Sequence, residues 1–230
     1  MQLLVDAGIA VFGYILGSIP FGMLIVKYRT GKDLREIESG RTGGTNTVRA
    51  AGFWAGLLTA ILDILKGAGS VWLARTLSPD NQLLHVLAPV CAILGHNYSI
   101  FLLRRDAEGK LRFHGGAGGA PALGGAVGLW LPIFPIVFGL GALIWFTIGI
   151  ASVTTMAIGL IVTLVFAIRA YLGYQSPIDI LYGILALFLL VWALRPNIKK
   201  LIEGKERVIS VSLNGWLRAR KQAKETGSQS

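Results

Sequence analysis

Turn-forming and basic segments cut the chain into apolar runs long enough to cross a lipid bilayer, and no other feature restricts its fold so severely. A hydrocarbon core about 30 Å thick needs ~17–25 helical residues per crossing. Inside it the backbone must pair its own N–H and C=O groups, which leaves only helices or a closed barrel. Runs of this length imply an all-α integral membrane protein. Composition agrees, because 53% of residues are hydrophobic and 15% charged, against roughly 25% charged in a soluble domain. Helices are expected at about 3–26, 53–77, 83–103, 117–133, 135–151, 153–170 and 177–195, giving seven crossings. A five-crossing alternative would turn the glycine-rich stretch after His114 into a re-entrant loop.

Breakers support these divisions: Ser78-Pro79-Asp80-Asn81, Pro132 with Pro135, and Gln175-Ser176-Pro177. The first run, Leu3 to Val26, lacks a basic leader and a small-residue cleavage site, so it reads as a retained helix. Cys91, the single cysteine, can form neither an intrachain disulfide nor a metal cluster and reads as core filler. No HExxH, paired-cysteine or clustered-carboxylate arrangement suggests a metal.

The net charge of +10 lies in three places. Lys27, Arg29, Lys32, Arg35, Arg41 and Arg49 follow the first run; Arg104, Arg105, Lys110 and Arg112 follow the third; nine more basic residues lie from Arg195 onward. By the positive-inside bias all three segments are cytoplasmic, and an odd number of crossings then puts the amino terminus outside and the carboxy terminus inside. The interleaving of aromatic with basic residues that marks a nucleic-acid module is missing. Residues 1–205 read as one transmembrane domain and 206–230 as a polar, basic cytoplasmic tail, with Lys205 to Ser230 forming a surface helix and a disordered end.

Polar groups at membrane depth or at its edges are the first candidates for function. Ser39-Gly40-Arg41-Thr42-Gly43-Gly44-Thr45-Asn46-Thr47-Val48-Arg49 combines glycines that let amides converge, hydroxyl donors and an arginine able to fork onto an oxyanion. It suits phosphate, or is a plain structured loop. Asp63 and Lys66 share a helix face at i,i+3, either as a structural ion pair or to orient the site loop. His96 closes the third run as a base, a donor or a snorkelling interfacial side chain. His114-Gly115-Gly116-Ala117-Gly118-Gly119 opens the fourth, where glycines serve an anion at a helix amino terminus or close helix packing. Arg195 and Asn197 follow the last run and could meet one anion.

In their order these motifs resemble the bacterial acyl-phosphate-dependent glycerol-3-phosphate acyltransferases over about residues 10–207. Gly17 to Gly22 is similar to the family's first-helix signature, Ser39 to Arg49 to its SGNxGATNVxR loop, and Asp63 to Gly67 to DxLKG. Gly95-His96 with the later Phe-x-Gly-Gly resembles GH…FKGGKG, and Asn197-Ile198 with Leu201 resembles HxxNIxRL. The resemblance implies seven helices in a bacterial plasma membrane, with the active-site loops cytoplasmic. It implies transfer of a fatty acyl group from acyl phosphate to the 1-hydroxyl of glycerol 3-phosphate, giving lysophosphatidate, without metal, cofactor or a dedicated nucleophile. Ser39, Thr45, Asn46, Arg49, Ser152 and Asn197 would then contact substrate or phosphate, with Asp63, Lys66 and His96 in orienting roles.

Three positions depart from that pattern. The lysine of GGKG is Ala117, the histidine of the closing motif is Leu194, and the asparagine after Ser39-Gly40 is Arg41; about nine extra residues also lie around Arg104 to Arg112. Candidate replacement cations are Arg41, Lys110, Arg112, His114 and Arg195. An alternative reading is therefore a weak paralogue that binds lipid phosphate or partners an active acyltransferase or an acyl-phosphate-forming enzyme. A transporter ranks below both, because no inverted repeat is evident.

Overall fold

The computed structural model describes residues 1–227, so the expected disordered end at Ser228–Ser230 lies outside the described residues. The chain is helical apart from one hairpin. Its helices are α1 (Gln2–Ser18), α2 (Phe21–Thr30), α3 (Gly44–Ala51), α4 (Phe53–Leu77), α5 (Gln82–Asn97), α6 (Gly119–Leu129), α7 (Ile133–Ile148), α8 (Ala151–Tyr171), α9 (Ile178–Ala193), α10 (Arg195–Ile202) and α11 (Leu213–Gly227). Strands β1 (Ser99–Arg105) and β2 (Leu111–His114) pair antiparallel between α5 and α6.

Three helical stretches are long and apolar enough to span a bilayer: α1 with α2 over Gln2–Thr30, α4 and α8. The bent pair α9 and α10, which turns by 66°, makes a fourth. α6 falls short of the expected span at 117–133: its 11 residues reach about 16 Å, roughly half of a hydrocarbon core.

The all-α class holds, with one correction to the bound of the third helix. The third helix stops at Asn97 and the chain turns into β1, where a run to 103 was expected. Tyr98 to Leu103 is rich in aromatic and branched residues that favour a pleated strand. The turn that closes the hairpin is chemically specified: Asp106 Oδ1 accepts from the amides of Glu108 (3.1 Å) and Lys110 (2.8 Å), while Gly109 supplies the left-handed conformation at φ +77°. The insertion expected from spacing is thus the tip of this hairpin.

The main core lies between α4, α5, α6, α8 and α9, around Val71, Ile93, Ala122, Val162, Phe166 and Leu190. Tyr182, fully buried, donates to Ala122 O at 2.6 Å and ties α9 to α6. The glycines of the fourth apolar run serve close packing: a Cβ on Gly124 would overlap Ile64 O of α4, and one on Gly67 would overlap Pro121 O of α6. Such backbone-to-backbone approach replaces the hydrophobic drive that lipid cannot supply.

Candidate functional site

At the end of the bundle where α9 stops, three segments distant in sequence meet on one guanidinium. Arg41 Nη1 donates to Gly116 O (3.1 Å); its Nη2 donates to Ala193 O (2.6 Å) and Asn197 Oδ1 (3.0 Å). Ala193 ends α9, so the cation sits on the negative end of that helix as well as on two loops. Burial draws the arginine's pKa downward, and Glu206 and Tyr98 act in the opposite sense.

Asn197 is read from both sides. Its Oδ1 accepts from Arg41, and its Nδ2 donates to Glu206 Oε1 at 2.9 Å, which fixes the orientation of the amide. Ser152, buried in the first turn of α8, donates from Oγ to the same Glu206 oxygen at 3.1 Å. Arg41, Asn197, Glu206 and Ser152 therefore form one connected chain of charge-assisted hydrogen bonds. Glu206 is the member that sequence reasoning missed. The one signal for it was an acidic residue in a strongly basic tail, nine positions after Asn197.

The 39–49 loop is half helical. Asp33 caps a 3₁₀ turn at Leu34–Glu36, and hydrogen bonding from Arg35 lowers its carboxyl to about 2. Asn46 is buried in the first turn of α3, where its Nδ2 reaches Leu34 O (3.3 Å), Ile37 O (2.9 Å) and Arg41 O (2.9 Å). In place of the phosphate contact the resemblance implies, Asn46 braces the loop that carries Arg41, and its Oδ1 is buried without a partner. Thr45 and Arg49 are exposed on α3, and Arg49 makes no hydrogen bond or ion pair among the described residues. Ser39 is exposed and accepts weakly from the amide of Arg41 at 3.4 Å.

Beneath Gly116 lies a dry ionic cluster. The Lys66 ammonium faces Asp63 Oδ1 (2.9 Å), Ile19 O (3.1 Å) and His96 Nδ1 (2.8 Å), and all three side chains are at most 5% exposed. A lysine carries three N–H donors and no acceptor, so His96 must accept at Nδ1 and hold its proton on Nε2. Nε2 abuts Gly116, where a Cβ would overlap the imidazole, and Gly116 N donates to His96 O at 2.9 Å. Glycine at 116 lets the loop rest on the ring, and the ionic cluster thereby supports the loop that Arg41 grips.

The other candidate cations lie away from this guanidinium cluster. Lys110 is at the hairpin tip, while Arg112 pairs with Asp106 at 2.8 Å. Arg195 donates to Trp192 O and lies 3.4 Å over that ring. His114 sits at the hairpin base opposite Ser99, with Nδ1 buried and unpartnered. Ala117 is the neighbour of Gly116, and Leu194 is 2% exposed within the core.

A polar cluster on a guanidinium, over a buried ion pair in a membrane bundle, has relatives of known kind. The family model described as glycerol-3-phosphate acyltransferase matches residues 7–204. The chain belongs to this glycerol-3-phosphate acyltransferase family. A glycerol-3-phosphate acyltransferase of Rubrobacter xylanophilus is 34% identical over 86% of this chain and 92% of its own length, and one of Limosilactobacillus reuteri is 34% identical over 94% and 97%. Among solved structures, the integral membrane glycerol 3-phosphate acyltransferase PlsY in its glycerol 3-phosphate form superposes with a TM-score of 0.73 at 29% identity. That alignment covers 89% of this chain and 96% of that one. The lysophosphatidic acid form of PlsY gives a TM-score of 0.71 at 27% identity. The chain is thus an integral membrane acyltransferase of the phospholipid-synthesising kind. Glu206 lies just beyond the stretch matched to the family, as does all of α11.

Proposed function

We propose that the protein transfers a fatty acyl group from acyl phosphate to the 1-hydroxyl of glycerol 3-phosphate, releasing lysophosphatidate and inorganic phosphate. The hydroxyl oxygen attacks the acyl carbonyl carbon, the carbon–oxygen bond to phosphate breaks, and the hydroxyl proton passes to a phosphate oxygen of the substrate. The chain's part is to hold two anions together and to stabilise the oxyanion and the departing phosphate in a site of low dielectric. The reading calls on no metal or cofactor. It carries with it seven membrane-crossing segments, with α6 a half-length one, the amino terminus outside, and the Arg41 end of the bundle on the cytoplasmic face of a bacterial plasma membrane.

One observation carries the reading: the guanidinium of Arg41 lies on Gly116 O, next to Ala117, and on Asn197 Oδ1. The cation absent at 117 is therefore supplied from the facing loop, within reach of the same glycine turn and the same asparagine. Arg49, exposed and unpaired among the described residues, provides a second cation for the partner anion. This replacement favours an active enzyme over the silent paralogue, whose case rested on Ala117 and Leu194.

The direct test is turnover by purified protein in phospholipid nanodiscs, with acyl phosphate and acyl-coenzyme A offered side by side and lysophosphatidate measured. Product from acyl phosphate alone is expected. Product from the coenzyme A ester alone would overturn the donor assignment, and none from either donor with a folded protein would overturn the activity.

A further inference from the structure

The segment after Gly204 is a strap that ends in a helix, α11, anchored to the rest of the protein at its first turn. It crosses the site through Glu206, pairs Arg207 with Glu38 of the 39–49 side, and then docks on the turn between α7 and α8. There Ile209 N donates to Gly149 O at 2.7 Å, Ser212 packs against Gly149 at φ +70°, and Asn214 Nδ2 donates to Ile148 O at 3.0 Å. Ser212 then caps the new helix by accepting from Gly215 N at 3.1 Å. α11 accordingly starts beside the end of the apolar helix α7.

From there α11 presents an uncovered apolar stripe. Leu213, Trp216 and Leu217, spaced i, i+3 and i+4, are 45%, 50% and 52% exposed, and Val211 just before them is 67% exposed. Arg218, Arg220 and Lys221 are exposed as well, with no acidic residue between Leu213 and Lys221. The Arg220 guanidinium lies 4.4 Å over the Trp216 ring, an aliphatic stem along an aromatic surface with the charge at its tip. A helix with leucines and a tryptophan on one side and bare cations beside them is the composition of one that lies in a membrane interface.

We propose that α11 is an interfacial helix: Leu213, Trp216 and Leu217 enter the leaflet beside α7, and Arg218, Arg220 and Lys221 bind the headgroups of anionic phospholipid. Two things select that occupant over a soluble protein. The stripe is continuous with the end of the apolar helix α7, and Arg218, Arg220 and Lys221 are grouped with no acidic residue among them. The docked helix also holds the strap, so Glu206 stays against Ser152 and Asn197. The lipid contact stands independently of the proposed reaction, and only its effect on turnover rests on that reading.

The basic residues of α11 are themselves tryptic sites, which gives a readout free of activity. Full-length protein is placed in nanodiscs of phosphatidylcholine, alone or mixed with phosphatidylglycerol, and cleavage after Arg218, Arg220 and Lys221 is followed by mass spectrometry. Cleavage is expected to be roughly tenfold slower in the anionic discs, since three cations at an anionic surface each add attraction. The Trp216→Ser, Leu217→Ser variant should lose that protection. Turnover should be several-fold faster in anionic discs, a dependence that Arg218→Glu, Arg220→Glu, Lys221→Glu removes while leaving the rate in phosphatidylcholine unchanged. Equal cleavage in both discs would overturn the lipid assignment. So would protection that needs an added soluble protein. Protection without any lipid dependence of turnover would overturn the coupling to the site.

Discussion

Arg41→Asn, combined with Ala117→Lys, probes whether the cation of the site has moved from one loop to the other. Replacing Arg41 by asparagine removes three hydrogen bonds, at 3.1, 2.6 and 3.0 Å, together with a positive charge. A hydrogen bond to a charged group contributes about 1.5–3 kcal/mol. Because Arg41 is only partly buried, the three are discounted here to a total of about 3 kcal/mol, roughly 150-fold in kcat/KM. Ala117→Lys alone adds a second cation, whose long flexible stem lets the ammonium stand in water, where repulsion from Arg41 costs about 1 kcal/mol, or roughly fivefold. If one cation is needed and either loop can supply it, the double variant recovers to within about tenfold of the parent. The two changes would then couple by about 2.5 kcal/mol, where independent sites add. Kinetics with acyl phosphate and glycerol 3-phosphate in nanodiscs give the cycle, and thermal melting of each variant shows that it is folded. Additive losses, or a double variant as slow as Arg41→Asn with an unchanged melt, would refute the relocated cation.

Further expectations follow from neighbouring groups. Lys66→Ala leaves Asp63, 1% exposed, as an uncompensated buried carboxylate and should lower stability by about 3–5 kcal/mol, whereas the paired Asp63→Leu, Lys66→Met change should recover most of it in the same melting assay. Arg49→Ala, on a side chain that is exposed and unpaired among the described residues, should raise KM roughly 10- to 100-fold with no change in melting temperature, and an unchanged KM would remove Arg49 from the site. Glu206→Gln keeps an acceptor for Ser152 and Asn197 and should slow turnover only a few-fold, while Glu206→Ala, which loses both bonds, should slow it by roughly 100-fold. Hydrogen bonding from Arg35 holds the Asp33 carboxyl at about 2, below the usual carboxylate range. Its support of the 3₁₀ turn is therefore complete above an unfolded value of about 4 and is lost as pH falls through 2. Hydrogen exchange of Leu34 to Ile37 checks this, and loss of protection already at pH 6 would contradict it.

Several of these groups could be named before any fold was known, and the reason is local. Apolar length against bilayer thickness is a property of each segment by itself, as is the i,i+3 pairing of Asp63 with Lys66; the ion pair is present in the structure, and three of the expected runs, or four with the bent pair α9 and α10, are long and apolar enough to span. Boundaries that depend on partners were less legible. α5 stops at Asn97 because β1 finds β2 across a turn built on Asp106 and Gly109. α6 is short because its glycines are held against the backbone of α4 rather than extended through lipid.

By itself, the sequence determined that this chain lives in a membrane, that it belongs with acyltransferases of one family, and which polar residues are candidates, since hydropathy and ordered motifs need no third dimension. The tertiary structure separates those candidates by burial and by partner. Ser39 and Asn46 lie seven positions apart, yet one is exposed while the other is turned inward to three carbonyls. Arg41 and Asn197 are 156 positions apart, yet share a hydrogen bond because α9 ends beside the glycine turn. That Arg41 meets the last carbonyl of α9 and Asn197 depends on where the end of that helix points, and that direction is set by packing.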